Sequence, residues 1–155
     1  MRKNEDLLMI GFIGTKSVLA TPMSRAEYCE YRGWKIPDDE DPNEPVYLVE
    51  YTDGGKPNDD RHDGYITMSP KEVFDNAYRQ NGSLNFGDAV TALKQGKKVA
   101  RGGWNGKGMY IRYVATTDKL NQHLELKNVA GTFDTWVPSV SDVLAEDWVV
   151  LEVSQ

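Results

Sequence analysis

Residues 84–104 read LNFGDAVTALKQGKKVARGGW and combine three signals of local structure in one short segment. Asn85 is a favourable N-cap residue for a helix, and Gly96 is a favourable stop signal after it. Between the two, apolar residues recur at helical spacing. They are Phe86, Ala89, Val90 and Leu93. The segment predicts a short amphipathic helix, then a β-strand that begins at KKVAR, then a glycine-rich turn.

The turn after this strand presents a cation beside a flat aromatic ring. Arg101 ends the strand, and Trp104 follows two glycines. A guanidinium next to an indole suits a ligand with a phosphate and a base better than it suits a hydrophobic core. The surrounding basic residues are open to two interpretations, a solvated helix end or a small anion pocket. They are Lys94, Lys97, Lys98 and Lys107.

Further from this segment, short strands and short helices follow one another along the chain. VYLVEY (46–51) is predicted to be a strand from its alternation and β propensity. SPKEVFDNAYRQ is predicted to be a helix with Ser69 at the N-cap, Pro70 at the first helical position and Glu72 completing a capping box. SVSDVLAEDW begins as a short helix, and WVVLEV closes the chain as a strand. The pattern predicts an α+β fold in which short helices pack on small antiparallel sheets.

A polar linker at residues 81–83 divides the chain into two predicted modules. Residues 1–80 form an N-terminal α+β module of unknown role, and residues 84–155 form the second module. An offset of 70 residues superimposes Trp34 on Trp104 and Ser69 on Ser139, so the modules are either a tandem repeat or a coincidence of common turn and cap signals.

Composition and charge limit the classes of partner. The net charge of −6 and the lack of a basic face argue against DNA or RNA binding. No apolar run reaches the ~20 residues that a membrane-spanning helix needs, and the start of the chain lacks the pattern of a signal peptide. A single cysteine, Cys29, fits a reducing cytoplasm.

Two separated motifs resemble a known family. NFGDAVTALKQGKKVARGGWNGKGM, from Asn85, and TWVPSVSDVLAEDW, ending at Trp148, resemble the Thoeris anti-defense family of the second type over residues 84–148. The resemblance implies a phage protein in the host bacterial cytoplasm that acts as a sponge and not as an enzyme. Such proteins hold a cyclic ADP-ribose-type immune signal (glycocyclic ADP-ribose, and in some members cyclic dinucleotides) unaltered, so the Thoeris effector is never activated. It also implies a homo-oligomer, a dimer or a tetramer, with no cofactor, metal or catalytic residue.

A ligand of this kind offers an adenine face, phosphates and ribose hydroxyls, and the chain carries side chains for each. Trp104 and Trp136 are the predicted stacking faces, and Arg101 and Lys107 the predicted phosphate contacts. Hydroxyls and base edges are assigned to short polar side chains, Asn105, Ser139, Ser141 and Asp142. Ser139 and Asp142 can also serve as helix caps, and Trp148 is predicted to belong to the core.

Two other classes of function remain open. The first is a structural or protein-interaction module of the virion or the replication machinery, in which exposed aromatic residues contact a protein. The second is a nucleotide-processing enzyme that uses His62 and the aspartates of the loop NDDRHDG, with metal-dependent turnover that is lost in His62→Ala. The usual fate of such a run is a solvated loop.

Overall fold

The computed structural model describes residues 7–104, 108–117 and 121–151. The chain divides into two compact units, the first ending at Ala77 and the second beginning at Tyr78. Each unit contains short helices and one antiparallel sheet, so the predicted α+β class is confirmed. Within the described ranges, none of the helices has the length and apolar character needed to cross a bilayer.

Across residues 7–77, the first unit has a three-stranded sheet and two helices. In chain order its elements are β1 (Val18–Ser24), α1 (Arg25–Arg32), β2 (Pro45–Tyr51), β3 (Ile66–Pro70) and α2 (Lys71–Ala77). The sheet order is β1-β2-β3, and both pairings are antiparallel. α1 begins at a capping box formed by Ser24 and Glu27. Its buried Tyr28 packs with the buried side chains of Val46, Leu48 and Ile66 from the sheet.

In its described ranges, 78–104, 108–117 and 121–151, the second unit has a five-stranded sheet and two helices. Its elements are α3 (Phe86–Lys94), β4 (Lys98–Arg101), β5 (Tyr110–Val114), β6 (His123–Lys127), β7 (Phe133–Thr135), α4 (Val140–Leu144) and β8 (Trp148–Leu151). The sheet order is β7-β6-β5-β4-β8, with antiparallel neighbours throughout. The C-terminal strand therefore lies at one edge, directly beside β4.

α3 forms where the sequence predicts a helix. The side chain of Asn85 accepts a hydrogen bond from the Asp88 amide, and the Asp88 carboxylate accepts one from the Asn85 amide, which satisfies two free N–H groups of the first turn. The buried face of the helix covers the sheet. The core consists of Ala89, Ala92, Leu93, Val99, Ile111, Ala145 and Trp148.

The predicted start of α2 at Pro70, with Ser69 as its N-cap, is wrong by one residue. β3 continues through Pro70, which pairs with Val46 of β2, and the helix begins only at Lys71. The Ser69 hydroxyl donates a long bond of 3.4 Å to the carbonyl of Pro70 and caps nothing. Pairing with β2 thus keeps both residues in the sheet, although their types favour a helix start.

The 70-residue repeat is reproduced by only one pair of helices, since α2 falls against residues 141–147, which overlap α4. At this offset α1 falls against residues 95–102, which contain β4, and β1 falls against residues 88–94, which belong to α3. The sheets also differ, since the first follows chain order and the second places its last strand beside β4.

Candidate functional site

Trp148 lies at the centre of an aromatic cluster in the second unit. Its ring is fully buried, and its indole N–H donates a hydrogen bond of 3.0 Å to the carbonyl oxygen of Asp142. Three other rings surround it, with centroid distances of 5.7 Å to Phe86, 6.0 Å to Trp104 and 6.2 Å to Trp136. The burial confirms that Trp148 belongs to the core.

The two predicted stacking residues are brought together by this central ring. Trp104 and Trp136 each pack against Trp148 in an edge-to-face arrangement, at interplanar angles of 75° and 80°. Both remain half-buried. The backbone fixes them as well, because the Trp104 amide bonds to the Arg101 carbonyl at 3.2 Å and the Trp136 amide to the Leu124 carbonyl at 2.8 Å. Two indoles separated by more than thirty residues thus share one anchor.

Arg101 is already paired with two carboxylates. Its Nε donates to Asp147 Oδ1 at 3.0 Å and its Nη1 to Asp142 Oδ1 at 3.0 Å. The bonds to Asp147 and then to Asp142 raise the pKa of the guanidinium above its usual value. One cation against two anions leaves this group of three side chains with a net negative charge, a feature that does not by itself favour a phosphate.

Ser139, Ser141 and Asp142 lie together at the start of α4. The Ser139 hydroxyl accepts a hydrogen bond from the Asp142 amide at 3.2 Å, and the Asp142 carboxylate accepts one from the Ser139 amide at 2.9 Å, so both residues serve as caps. The Ser139 and Ser141 hydroxyls are 2.9 Å apart and exposed. Burial raises the pKa of the Asp142 carboxyl, but the hydrogen bonds from Ser139 and Arg101 outweigh it, and the net pKa is below its usual range.

The structure therefore gathers six of the eight predicted site residues around Trp148 and α4. They are Arg101, Trp104, Trp136, Ser139, Ser141 and Asp142. The other two, Asn105 and Lys107, lie outside the described residues. Their assignment to the ligand stays a prediction, as it does for the six.

Two features of this region were not predicted from the sequence. The first is Asp147, which bonds to Arg101 because β4 and β8 are neighbours and Arg101 pairs with Trp148. The second is a group of largely exposed apolar side chains that follows Trp136, namely Val137, Val140 and Leu144. The shortness of the predicted helix could have indicated this surface. A helix of five residues, such as α4, cannot bury apolar side chains on every side.

The histidine loop of the first unit forms a local network. His62 Nε2 lies 2.7 Å from the Tyr31 hydroxyl, and its Nδ1 lies 3.2 Å from a carboxylate oxygen of Glu50. Asp59 pairs with Arg61, which also donates to the Tyr31 carbonyl at 2.7 Å. These bonds tie the loop to α1 and β2. Across residues 7–104, 108–117 and 121–151, no group of three or more His, Cys, Asp or Glu side chains is arranged to hold a metal ion.

The second unit is thus a small α+β domain with an anchored indole pair beside a charged and hydroxyl-bearing surface. Residues 84–151 match the model of the Thoeris anti-defense 2-like domain. A relative named Thoeris anti-defense 2, from Bacillus phage SP01, is 34% identical over 85 aligned residues, which cover 44% of this chain and 94% of the relative. The chain belongs to the Thoeris anti-defense 2-like family. The resemblance read from residues 84–148 is confirmed, and membership supports a phage anti-defense role.

Proposed function

We propose that this protein binds a cyclic nucleotide immune signal in the host cytoplasm and sequesters it without cleaving it, which prevents activation of the Thoeris effector. Glycocyclic ADP-ribose is the first ligand to test, and cyclic dinucleotides are the second class. The proposal rests on the anchored indole pair, Trp104 and Trp136 against Trp148, within a domain of an anti-defense family. We also expect the protein to form a homo-oligomer, either a dimer or a tetramer.

The indole pair supports tight binding because its rings are held in place before the ligand arrives. Stacking of a base on an aromatic side chain contributes roughly 1–3 kcal/mol, and each tenfold in affinity corresponds to about 1.4 kcal/mol. A ring already fixed by packing loses little conformational freedom on binding. Trp104 and Trp136 are both fixed in this way and both half-buried, so each is anchored on one side and accessible on another.

The charges around the rings refine the expected role of Arg101. Two of the five N–H donors of its guanidinium point at Asp142 and Asp147 within the described residues. A phosphate that reaches Arg101 must therefore compete with Asp147, whose side chain is 41% exposed. We expect Arg101 to orient the turn that carries Trp104 and to contact the ligand through its remaining donors.

Calorimetric titration against a panel of cyclic ADP-ribose isomers and cyclic dinucleotides tests the proposal. We expect one ligand to bind at nanomolar affinity, and Trp104→Ala to weaken it at least tenfold. Trp34→Ala is the matched control, because it removes a half-exposed indole from the first unit, and it should bind as the wild type does. Heating the complex should then release intact ligand. Recovery of hydrolysed product, or no binding to any member of the panel, would overturn the proposal.

A second candidate function is a protein-interaction module of the virion or the replication machinery. The exposed apolar side chains of Val137, Val140 and Leu144, which follow Trp136 along the chain, favour it, since exposed apolar surface that is contiguous marks contact sites for proteins. If the protein is such a module, no nucleotide should change its melting temperature. Capture of a phage protein should then be lost in Val140→Asp, with Trp104→Ala having no effect.

A further inference from the structure

The residues that precede the first sheet expose a continuous apolar segment. LLMIGFI (7–13) carries six large apolar side chains, and all of them are exposed, with Phe12 at 89% and Ile13 at 104%. We call residues 7–13 the arm. Folded chains rarely leave a contiguous apolar patch of this kind in contact with water unless it meets a partner.

The arm leads into an open sheet edge. β1 (Val18–Ser24) lies at one edge of the order β1-β2-β3, so one side of its backbone has no strand beside it in the described part of this unit. Edge strands are usually blocked by charged side chains or by proline. β1 has no charged residue, and Pro22 stands in its second half, which leaves Val18–Thr21 unblocked. Leu19 of this stretch is 61% exposed.

We propose that a second copy of this chain covers the arm and the edge. The β1 strands of two copies pair antiparallel about a two-fold axis, joining two three-stranded sheets into one, and each arm packs along the β1 strand of the other copy. An antiparallel pair of identical edges satisfies two-fold symmetry, because each strand offers the other the same residues. Unpaired N–H and C=O groups of both edges are then hydrogen-bonded.

Charge does not oppose a second copy at this segment, although it does over the rest of the surface. Each chain carries a net charge of −6, so two copies repel each other over most of their surfaces. Residues 7–24 include one charged side chain, Lys16, and no carboxylate. The segment itself therefore adds no carboxylate to the contact, and the Asp53 carboxylate beside it is paired with Lys16 at 3.1 Å. Six apolar side chains offer on the order of 600 Å² per copy, close to the ~800 Å² that a standard interface takes from each partner.

Sedimentation velocity of the full chain over a dilution series tests this interface. Two variants address its two parts: Ile10→Asp with Phe12→Asp in the arm, and Leu19→Lys on the edge. The matched control is Val129→Asp, which places a charge at a side chain of the same 61% exposure in the second unit. We expect the wild type and the control to associate equally, and both test variants to associate at least tenfold more weakly. Circular dichroism should be unchanged in the arm variant, because its substitutions lie outside every helix and strand.

Three results would overturn the inference. In the first, the wild type sediments as a monomer at every concentration. In the second, an oligomer persists unchanged in either test variant, which would place the contact elsewhere or leave β1 out of it. In the third, the monomer binds phosphatidylcholine vesicles through the arm, which would make a lipid surface the partner. Nucleotide binding is not measured in these experiments, so their outcome is independent of the proposed sequestration of a nucleotide and bears only on the expected homo-oligomer.

Discussion

Trp148 determines the position of the other two indoles at the candidate site. The sequence assigns Trp148 to the core and Trp104 and Trp136 to a ligand, and the structure shows that the core and the candidate site share one cluster. Residue type and local turn signals were enough to assign Trp148 to the core, and the assignment of the other two rings to a ligand stays a prediction. Their convergence was not predictable, because it depends on the neighbouring position of β4 and β8 and on the backbone bond from Trp136 to Leu124.

Because Arg101 is paired with Asp147, we predict that the loss of a side-chain charge at the site increases the affinity for the ligand. Asp147→Asn should strengthen the binding of an anionic nucleotide several-fold, because it removes a carboxylate that competes with the phosphate for the guanidinium. The same change should lower the free energy of unfolding by no more than about 1 kcal/mol, since the pair is partly exposed. Calorimetry and urea unfolding measure the two effects. Weaker binding in Asp147→Asn would show that this carboxylate holds Arg101 in its binding orientation.

Asp142 should make the stability of the second unit sensitive to acid. Its pKa in the folded protein lies below its usual value, so its contribution to stability is fully present above the unfolded pKa of about 3.9 and is lost as the pH falls through the lower folded pKa. Asp142→Asn should therefore destabilise the protein at pH 7 and have a smaller effect at pH 3, where the wild-type carboxyl is becoming protonated. Urea unfolding at both pH values checks this. Glu146→Gln, at an exposed carboxylate nearby, serves as the control, and a difference that stays constant with pH would contradict the prediction.

At the scale of elements, the outcome for each predicted helix start depends on whether local residues or a distant strand determine the structure there. Asn85 and Ser139 cap α3 and α4 as expected, because a capping box is completed within four residues. Ser69 carries the same signal but lies in β3, since Pro70 pairs with Val46 of a distant strand. Strand order has the same limitation. The sequence predicted β4 and β8 as strands and contained no local indication that they would be neighbours.

The two serines provide a matched test of this difference. Ser139→Ala should lower the free energy of unfolding of the second unit by about 1 kcal/mol, the usual effect of losing an N-cap. Ser69→Ala should change the stability of the first unit by only a few tenths of a kcal/mol, because its hydroxyl makes a long bond to a neighbouring carbonyl. Chemical denaturation followed by circular dichroism measures both. Similar losses in the two variants would mean that the Ser69 hydroxyl does stabilise the start of α2.

At the scale of the whole molecule, the family match and the candidate site both fall in the second unit. The match covers residues 84–151, and the described site residues run from Arg101 to Trp148. The division near residues 81–83 was proposed from a polar linker, and the boundary between the compact units falls between Ala77 and Tyr78 in the chain. What the first unit does could not be predicted from the sequence, because its residues lie outside both motifs of the resemblance.

Core substitutions in each unit can show which one carries nucleotide binding. Ile66 and Leu93 are buried in the cores of the first and second units, so replacing either with alanine should destabilise its own unit by about 2–4 kcal/mol. Their effects on binding should differ. We expect Ile66→Ala to leave the affinity for the nucleotide within twofold of that of the wild type, because the indole pair lies in the second unit. Leu93→Ala should reduce the fraction of protein that can bind the ligand as the temperature rises, since α3 then loses a buried side chain of the core that contains Trp148. Thermal unfolding followed by tryptophan fluorescence, combined with calorimetric titration at two temperatures, separates the two effects. Equal losses of affinity in both variants would show that the ligand needs the first unit as well.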